Sequence, residues 1–320
     1  MTTPLVRQWL EAGELELPLP ASGDTATRWF KLAELTAVDV VAGRLAEAHT
    51  DAVAILAELA GPPAQPRQLW GVWAAEAPGH TLTVTHHGKA FRLNGTKPWC
   101  SGASLCSHAL VTARGPDGVR GLFAVELAHP GVAAQASSWR NAGMADSDTR
   151  SVRFDDVPAT PVGAPGDYLD RPGFWHGAIG VAACWLGGAR AVAAPLYRSV
   201  ADHNGKAADP HAQAHLGAVD AALAAAEAVL TCAAEFVDAE PASGRTELMA
   251  RRVRAVAETA VDEAIVRTGR ALGPAPLALD ADHARRVADL TMYVRQSHAE
   301  RDLAALGRLA CAPASEVAVV

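Results

Sequence analysis

A chain of 320 residues and 33.2 kDa exceeds the roughly 250–300 residues at which a single core stops growing. About two domains, or one large domain with subdomains, are therefore expected. Half of the residues are apolar and 20% are charged, which excludes a disordered chain and a small metal-held scaffold. A net charge of −7 and a pI near 5.9 offer no basic field for nucleic acid or for an anionic membrane.

The cysteines Cys100, Cys106, Cys184, Cys232 and Cys311 are odd in number and form no CxxC pair. They argue against a disulfide framework and a zinc site, and for a reducing, cytoplasmic setting. Arg7, Glu11, Glu14 and Glu16 interrupt any apolar stretch near the start, so no secretory signal is expected there. The longest run free of charged residues and histidine, Gly177 to Ala189, falls short of the roughly 20 residues of a spanning helix. Tryptophan is in surplus, with 8 Trp against 6 Phe and 3 Tyr, a large stock of rigid aromatic surface for burial or binding.

Taken in order, Leu35, Val38, Leu45, Val53, Leu56 and Leu59 recur at helical spacing, and Gly61-Pro62-Pro63 is a stop signal. One or two helices are predicted within 33–60. From Leu69 to Pro161 the chain turns to short Val-, Thr-, Trp- and Phe-rich segments. Strands are expected at 81–85, 91–93, 119–127, 132–138 and 151–154, with Asn94-Gly95 as a hairpin turn. After Gly173 four Ala-rich helices are predicted, at about 174–202, 210–239, 246–272 and 280–309, with Asp209-Pro210, Pro241 and Gly273-Pro274 as boundaries. The expected class is α+β. A short helical region (1–66) precedes an antiparallel β-barrel or sandwich (67–165), a four-helix bundle (172–310) and a tail (311–320).

Within this order specific residues agree with a known family. Leu93-Asn94-Gly95-Thr96-Lys97-Pro98-Trp99-Cys100-Ser101-Gly102-Ala103 resembles the Leu-Asn-Gly-x-Lys-x-Trp-x-Thr/Ser-x-Ala motif of the acyl-CoA dehydrogenases. Ser147-Asp148-Thr149-Arg150 and Phe154-Asp155-Asp156-Val157 are similar to its Ser-x-Thr and Phe-Glu-Asp-Val elements, and Gly173-Phe174 and Ala189-Arg190 to the start of its bundle. The resemblance spans about residues 69–310. It implies an FAD-dependent oxidoreductase acting at a CH–CH group of an acyl thioester or related substrate. The implied assembly is a homodimer or homotetramer, with an electron-acceptor protein as a possible partner. Trp99 is expected to lay its indole on the flavin. Ser101, two residues on, is expected on the same strand face, with its hydroxyl or amide near the redox edge. Without the motif, Trp99 reads as a half-buried strand aromatic and Ser101 as a turn hydroxyl.

The same resemblance assigns Thr149 to the cofactor, and puts Ala75 where the family has a flavin-contacting Thr, so only a backbone N–H remains. It makes Arg267 and Arg270 candidates for the flavin phosphates, although cations near a helix C-terminus are also ordinary dipole partners. The stretch from His203 to Asp209 offers Lys206 as its one cation toward the diphosphate. Aligning Asp289 and Tyr293 with the last family helix places Ser297 where the catalytic Glu is expected. His298 and Glu300 are then the available proton-handling residues. The alternative is that Arg295, Glu300, Arg301 and Asp302 form a solvated, salt-bridged face. Loss of the Glu opens two further readings, a degenerate paralogue serving as a structural or regulatory subunit, and a flavin monooxygenase of the same superfamily. His211 and His215 share a helix face without a third ligand, a weak metal signal. No GxGxxG or P-loop stands in a strand–turn–helix context.

Overall fold

The structure, a computed structural model, describes residues 2–88, 90–202 and 209–311. Contacts divide it into two compact units, one of residues 1–17, 45–141 and 145–174, the other of 18–44, 142–144 and 175–320. The N-terminal region is thus shared between the units and forms no body of its own. Of the tail, 312–320 lies outside the described residues.

The chain opens on α1 (Thr2–Glu11), which the sequence reading missed; Val6 and Trp9 are buried on it. The predicted helices follow as α2 (Thr25–Val38) and α3 (Val40–Glu58). They are separated by the single extended residue Asp39 (φ −151°, ψ 120°). Its carboxylate accepts from the Ala42 N–H at 2.8 Å and meets Arg285 at 2.9 Å, so the break is held by capping and charge.

Among the described residues seven strands follow: β1 (Trp70–Trp73), β2 (Leu82–His87), β3 (Ala90–Cys100), β4 (His108–Arg114), β5 (Arg120–Glu126), β6 (Val132–Ala134) and β7 (Arg150–Pro161). Pairing runs β4-β2-β3-β7-β5 and returns from β5 to β4, closing a barrel, with β1 parallel to β4 and β6 against β7. Alternation places each side chain. Ala109, Val111 and Ala113 of β4 join Trp73, Leu93, Phe123, Val152 and Phe154 in one core, while Leu110 turns the other way onto Ala52, Ile55 and Leu56 of α3.

Asn94-Gly95 is no hairpin turn but an irregularity inside β3, where the register with β7 shifts between Leu93 and Gly95. Gly95 has φ +123°, and Asn94 Oδ1 accepts from the Asp156 N–H at 2.9 Å. The β2–β3 hairpin turns instead after His87, where Gly88 has φ +61° and the register closes on His87 and Ala90. Both sites use glycine's access to positive φ, so the dipeptide signal was right about the conformation and wrong about the topology.

The helical unit contains α5 (Gly173–Ala201), preceded by the short α4 (Asp167–Asp170) of the barrel unit, then α6 (Pro210–Ala239) and α7 (Thr246–Leu272). Asp209 caps α6 as its sequence suggested, accepting from the His211 N–H at 3.0 Å. Asp238 of α6 accepts from Gly23 N, Thr25 N and Thr25 Oγ1, fastening the start of α2. The helix predicted at 280–309 is broken: α8 (Ala275–Leu279) and α9 (Ala281–Tyr293) are followed by a 3₁₀ turn at Val294–Gln296, and α10 (Glu300–Cys311) starts afresh. Ser297 between them is extended (φ −68°, ψ 141°) and Ala299 has φ +45°. A side-chain hydrogen bond from Ser297, described below, diverts the backbone.

By length and mean hydropathy α5 and α6 would each suffice to cross a membrane, with 72% of the apolar window of α5 buried and 28% of that of α6. An uncharged-run criterion misses them because single charges such as Arg190 end the run.

Close packing in the helical unit depends on Gly187, where an added Cβ would stand 1.9 Å from the Ala33 carbonyl oxygen of α2. Gly187→Ala is expected to destabilise the chain by about 2–3 kcal/mol through overpacking. Gly180→Ala, whose nearest neighbour is 3.6 Å away, should be neutral or add about 0.5–1 kcal/mol through better helix propensity. Urea-unfolding midpoints of the two variants test the contrast.

Candidate functional site

At the end of β3 the register with β7 shifts again between Lys97 and Cys100. Trp99 sits in this irregularity with φ +59°, strained for a bulky side chain. Its indole is 53% exposed and meets Trp139 edge-to-face, centroids 6.1 Å apart and planes at 86°. The strain thus holds a large aromatic surface outside the core, in contrast to Trp29, Trp73 and Trp185, which are fully buried.

Ser101 lies just beyond the strand end, in a turn, so strand alternation does not set its direction relative to Trp99. Hydrogen bonds do: Ser101 Oγ is 2.9 Å from Thr149 Oγ1, which is 2.7 Å from Ser147 Oγ. The Ser101 carbonyl accepts from Trp73 Nε1 at 2.9 Å. Gly102 N donates to the Ser147 carbonyl at 2.7 Å and Ser104 N to Asp148 Oδ2 at 2.7 Å. Two motif segments 48 residues apart in sequence are thereby laced together, and Ser101 and Thr149 share one hydroxyl chain.

Ala75 is exposed in the β1–β2 connection and lines a cleft of about 380 Å³ with Lys97, Thr112 and Arg114. Lys97 is only 3% exposed. Its Nζ donates to the Thr112 carbonyl at 3.0 Å and to Thr112 Oγ1 at 2.7 Å. Burial lowers the Lys97 pKa to about 8, against the opposing pull of Glu76. Glu76 is engaged by Arg114 and Arg120, both at 2.8 Å; burial works to raise its pKa, and the two guanidiniums more than reverse this. Cys100, inside the same motif, is buried with its thiol pushed up by burial, which fits a packed rather than nucleophilic role.

Lys97 makes stability pH-dependent in a definite direction. The folded chain releases this proton near pH 8 while the unfolded chain keeps it to about 10.5. The unfolded state therefore binds more protons in that window and stability rises with pH across it. Relative to Lys97→Met, the wild type should gain on the order of 3 kcal/mol between pH 7 and 10.5, read from urea unfolding. A pH-independent difference between the two would contradict the assignment.

In the helical unit, Ser297 is buried and its Oγ donates to Glu258 Oε2 of α7 at 2.6 Å, while accepting from the Ala299 N–H at 3.1 Å. Arg295 Nη2 stands 3.6 Å from Glu258 Oε1, whose side chain is 17% exposed. A carboxylate is thus present at Ser297, supplied by a residue that sequence reasoning missed. No local pattern joins positions 39 apart.

The residues named from sequence nearby stand differently. His298 is 60% exposed at the side chain, its ring 3.6 Å from Asp302, and its backbone N–H donates to the same carboxylate at 3.0 Å. Asp302 also meets Arg251 at 3.3 Å. Glu300 is exposed in the first turn of α10. Asp302 thus pairs with Arg251 and faces the His298 ring, with Glu300 exposed nearby. Arg267 is paired with Glu263 within α7, and Arg270 is exposed in its last turn. Lys206 lies outside the described residues. Among the described residues no cluster of three metal-ligating side chains occurs, His211 and His215 included.

A closed barrel that presents a strained, exposed tryptophan beside a Ser–Thr pair, together with a unit of long helices, defines the acyl-CoA dehydrogenase-like fold. Residues 75–157 match the acyl-CoA dehydrogenase middle domain, and over that segment the chain is similar to this family. Similar solved structures include the electron transferring flavoprotein of Acidaminococcus fermentans, with TM-score 0.83, 17% identity, and coverage of 96% of this chain and 89% of that one. TdsC from Paenibacillus sp. A11-2 with FMN and indole has TM-score 0.79, 20% identity and coverage of 97% and 96%. The nitrososynthase from Micromonospora carbonacea var. africana has TM-score 0.79, 18% identity and coverage of 96% and 88%. No curated protein matches the chain by sequence.

Proposed function

We propose that this protein is an FAD-dependent oxidoreductase that removes hydrogen from a CH–CH group of an acyl thioester or related substrate. The observation that carries the reading is Trp99, held exposed by a left-handed backbone at the end of β3 and adjoining Ser101, within a segment that matches the acyl-CoA dehydrogenase middle domain. These residues fit a flavin. The indole offers a face or edge to a planar ring, Ser101 and Thr149 offer hydroxyls that are hydrogen-bonded to each other, and Ala75 offers a backbone N–H. Bound there, the flavin would supply the two-electron acceptor chemistry.

The chain's own part is to orient and to move a proton. In this reading Glu258, rather than the exposed His298 or Glu300, takes the proton. The Ser297 hydroxyl holds Oε2, and Oε1, 3.6 Å from Arg295 Nη2, keeps a lone pair to accept the proton. Arg267 and Arg270 are left as phosphate contacts by rearrangement of the Glu263 pair. The five free cysteines support a reducing, cytoplasmic setting, and a homodimer or homotetramer is part of the proposal.

An absorbance spectrum from about 350 to 500 nm, recorded on the purified chain with FAD and separately with FMN, tests the premise. Saturable FAD binding is expected, and a colourless protein that binds neither flavin sinks the reading. A second reading, a flavin monooxygenase, is supported by likeness to TdsC, described as a dibenzothiophene monooxygenase. Oxygen-dependent product formation with supplied reduced flavin would favour it over a dehydrogenase.

A further inference from the structure

The cleft beside β3 and β4 contains a buried cation that the flavin reading does not use. A lysine ammonium has three N–H donors. Among the described residues Lys97 Nζ uses two, both toward Thr112 oxygens that carry no charge. Desolvating an ammonium among neutral acceptors is costly, so the position calls for a compensating anion. Glu76 is the carboxylate of this cleft, and its Oε2 already serves both Arg114 and Arg120. Facing the ammonium are two cations, Arg114 and Arg120, and one carboxylate, Glu76, Cys100 being a protonated thiol, so with Lys97 itself three cations stand against one carboxylate. The walls contributed by Ala77, Pro78, Leu82 and Pro98 are apolar, and the volume of about 380 Å³ suits a small organic ligand.

We infer that this cleft is a binding site for a small ligand bearing an oxyanion, a carboxylate or a phosphate, with Lys97 as the buried anchor and Arg114 as the rim contact. The site lies wholly within the barrel unit; it adjoins the proposed flavin site at Ala75 but does not rest on flavin binding. The oxyanion takes the third ammonium donor and shares the Arg114 guanidinium with Glu76, forming charge-assisted hydrogen bonds in a partly dry setting. Apolar atoms of the ligand cover Leu82 and Pro98. Binding favours the protonated amine, so affinity falls as pH rises through the range where Lys97 loses its proton.

The test is calorimetric titration of the flavin-free full chain, at constant ionic strength, with inorganic phosphate and separately with succinate, each at pH 7 and pH 9.5. Saturable binding of at least one probe is expected; phosphate alone identifies a phosphoryl ligand, and succinate alone a carboxylate. Lys97→Met should weaken binding by about tenfold or more, and Arg114→Gln by about threefold or more, and the affinity at pH 9.5 should be several-fold below that at pH 7. Absence of saturable binding of either probe to the wild type overturns the proposal. So does binding that Lys97→Met leaves unchanged. If Lys97→Met fails to fold, the exposed-rim variant Arg114→Gln decides by the same criterion. Because no flavin is present, none of these outcomes depends on whether the chain is an FAD enzyme.

Discussion

Glu258→Gln is expected to slow substrate-driven flavin reduction by about 10²–10⁴-fold, the usual contribution of a positioned general base, while leaving the flavin spectrum and its affinity unchanged. The substitution keeps the shape and still allows the amide oxygen to accept the hydrogen bond that Ser297 Oγ makes at 2.6 Å, so the break between α9 and α10 should survive. What is lost is the carboxylate to which the proposed function assigns the proton. Ser297→Ala is the informative companion. It removes the group that fixes the carboxylate rotamer and lets the chain reconsider its path at an extended residue, so a smaller loss of rate is expected together with reduced stability. If instead His298→Gln abolishes reduction and Glu258→Gln does not, the proton is handled on the α10 side and the assignment of Glu258 fails. A rapid-mixing measurement of flavin bleaching with saturating substrate separates these outcomes, because it reads the chemical step without turnover.

Gly95→Ala carries the largest expected cost to the fold. At φ +123° an L-residue is strained by about 1–3 kcal/mol. The added Cβ would also stand 2.2 Å from the Thr81 carbonyl oxygen, which accepts from the Thr96 N–H at 3.1 Å. Backbone must move to relieve the contact, and overpacking of this kind adds about 1–3 kcal/mol. A total loss of about 3 kcal/mol or more is therefore expected, measured as a fall in the urea midpoint. Gly79→Ala is the control. It too has positive φ, +79°, yet a Cβ there meets nothing within 4 Å, so its loss should be limited to the backbone term. The comparison separates conformational strain from steric conflict in the same barrel.

The Leu-Asn-Gly motif illustrates how far the sequence reading reached. Asn94-Gly95 reads as a turn because a positive φ and an Asn side chain that hydrogen-bonds backbone are what such a dipeptide signals locally. Both properties are present, with Asn94 bonded to the Asp156 N–H. Whether they serve a turn or a bulge depends on the partner strand, and β7 lies some 60 residues on. The strand at 108–114 was overlooked for a related reason. Its interior pattern of Ala109, Val111 and Ala113, with Leu110 facing α3, makes both faces apolar and erases the alternation on which recognition relied.

The last helix shows the limit most directly. Residues 280–309 carry a continuous helical pattern, and the sequence contains nothing that foretells Ser297 turning to bond a carboxylate on α7. Hence His298 and Glu300 were chosen as neighbours in sequence, while Glu258 is the neighbour in space.

The sequence by itself determined the class of the chain: a helical start, a small barrel and long Ala-rich helices, bounded by Gly, Pro and capping residues whose preferences are local and so survive without knowledge of the fold. It also singled out Trp99 among eight tryptophans. Only the tertiary structure decided which of those tryptophans are core and that Trp99 is held out on a strained backbone. It likewise decided that Ser101 and Thr149 share a hydroxyl chain, that Lys97 is buried against Thr112, and that Glu258 stands at Ser297. Each of these is a contact between segments far apart in the chain. Their energies come from desolvation and from hydrogen-bond geometry, which are properties of proximity in space and leave no periodic trace in the order of residues.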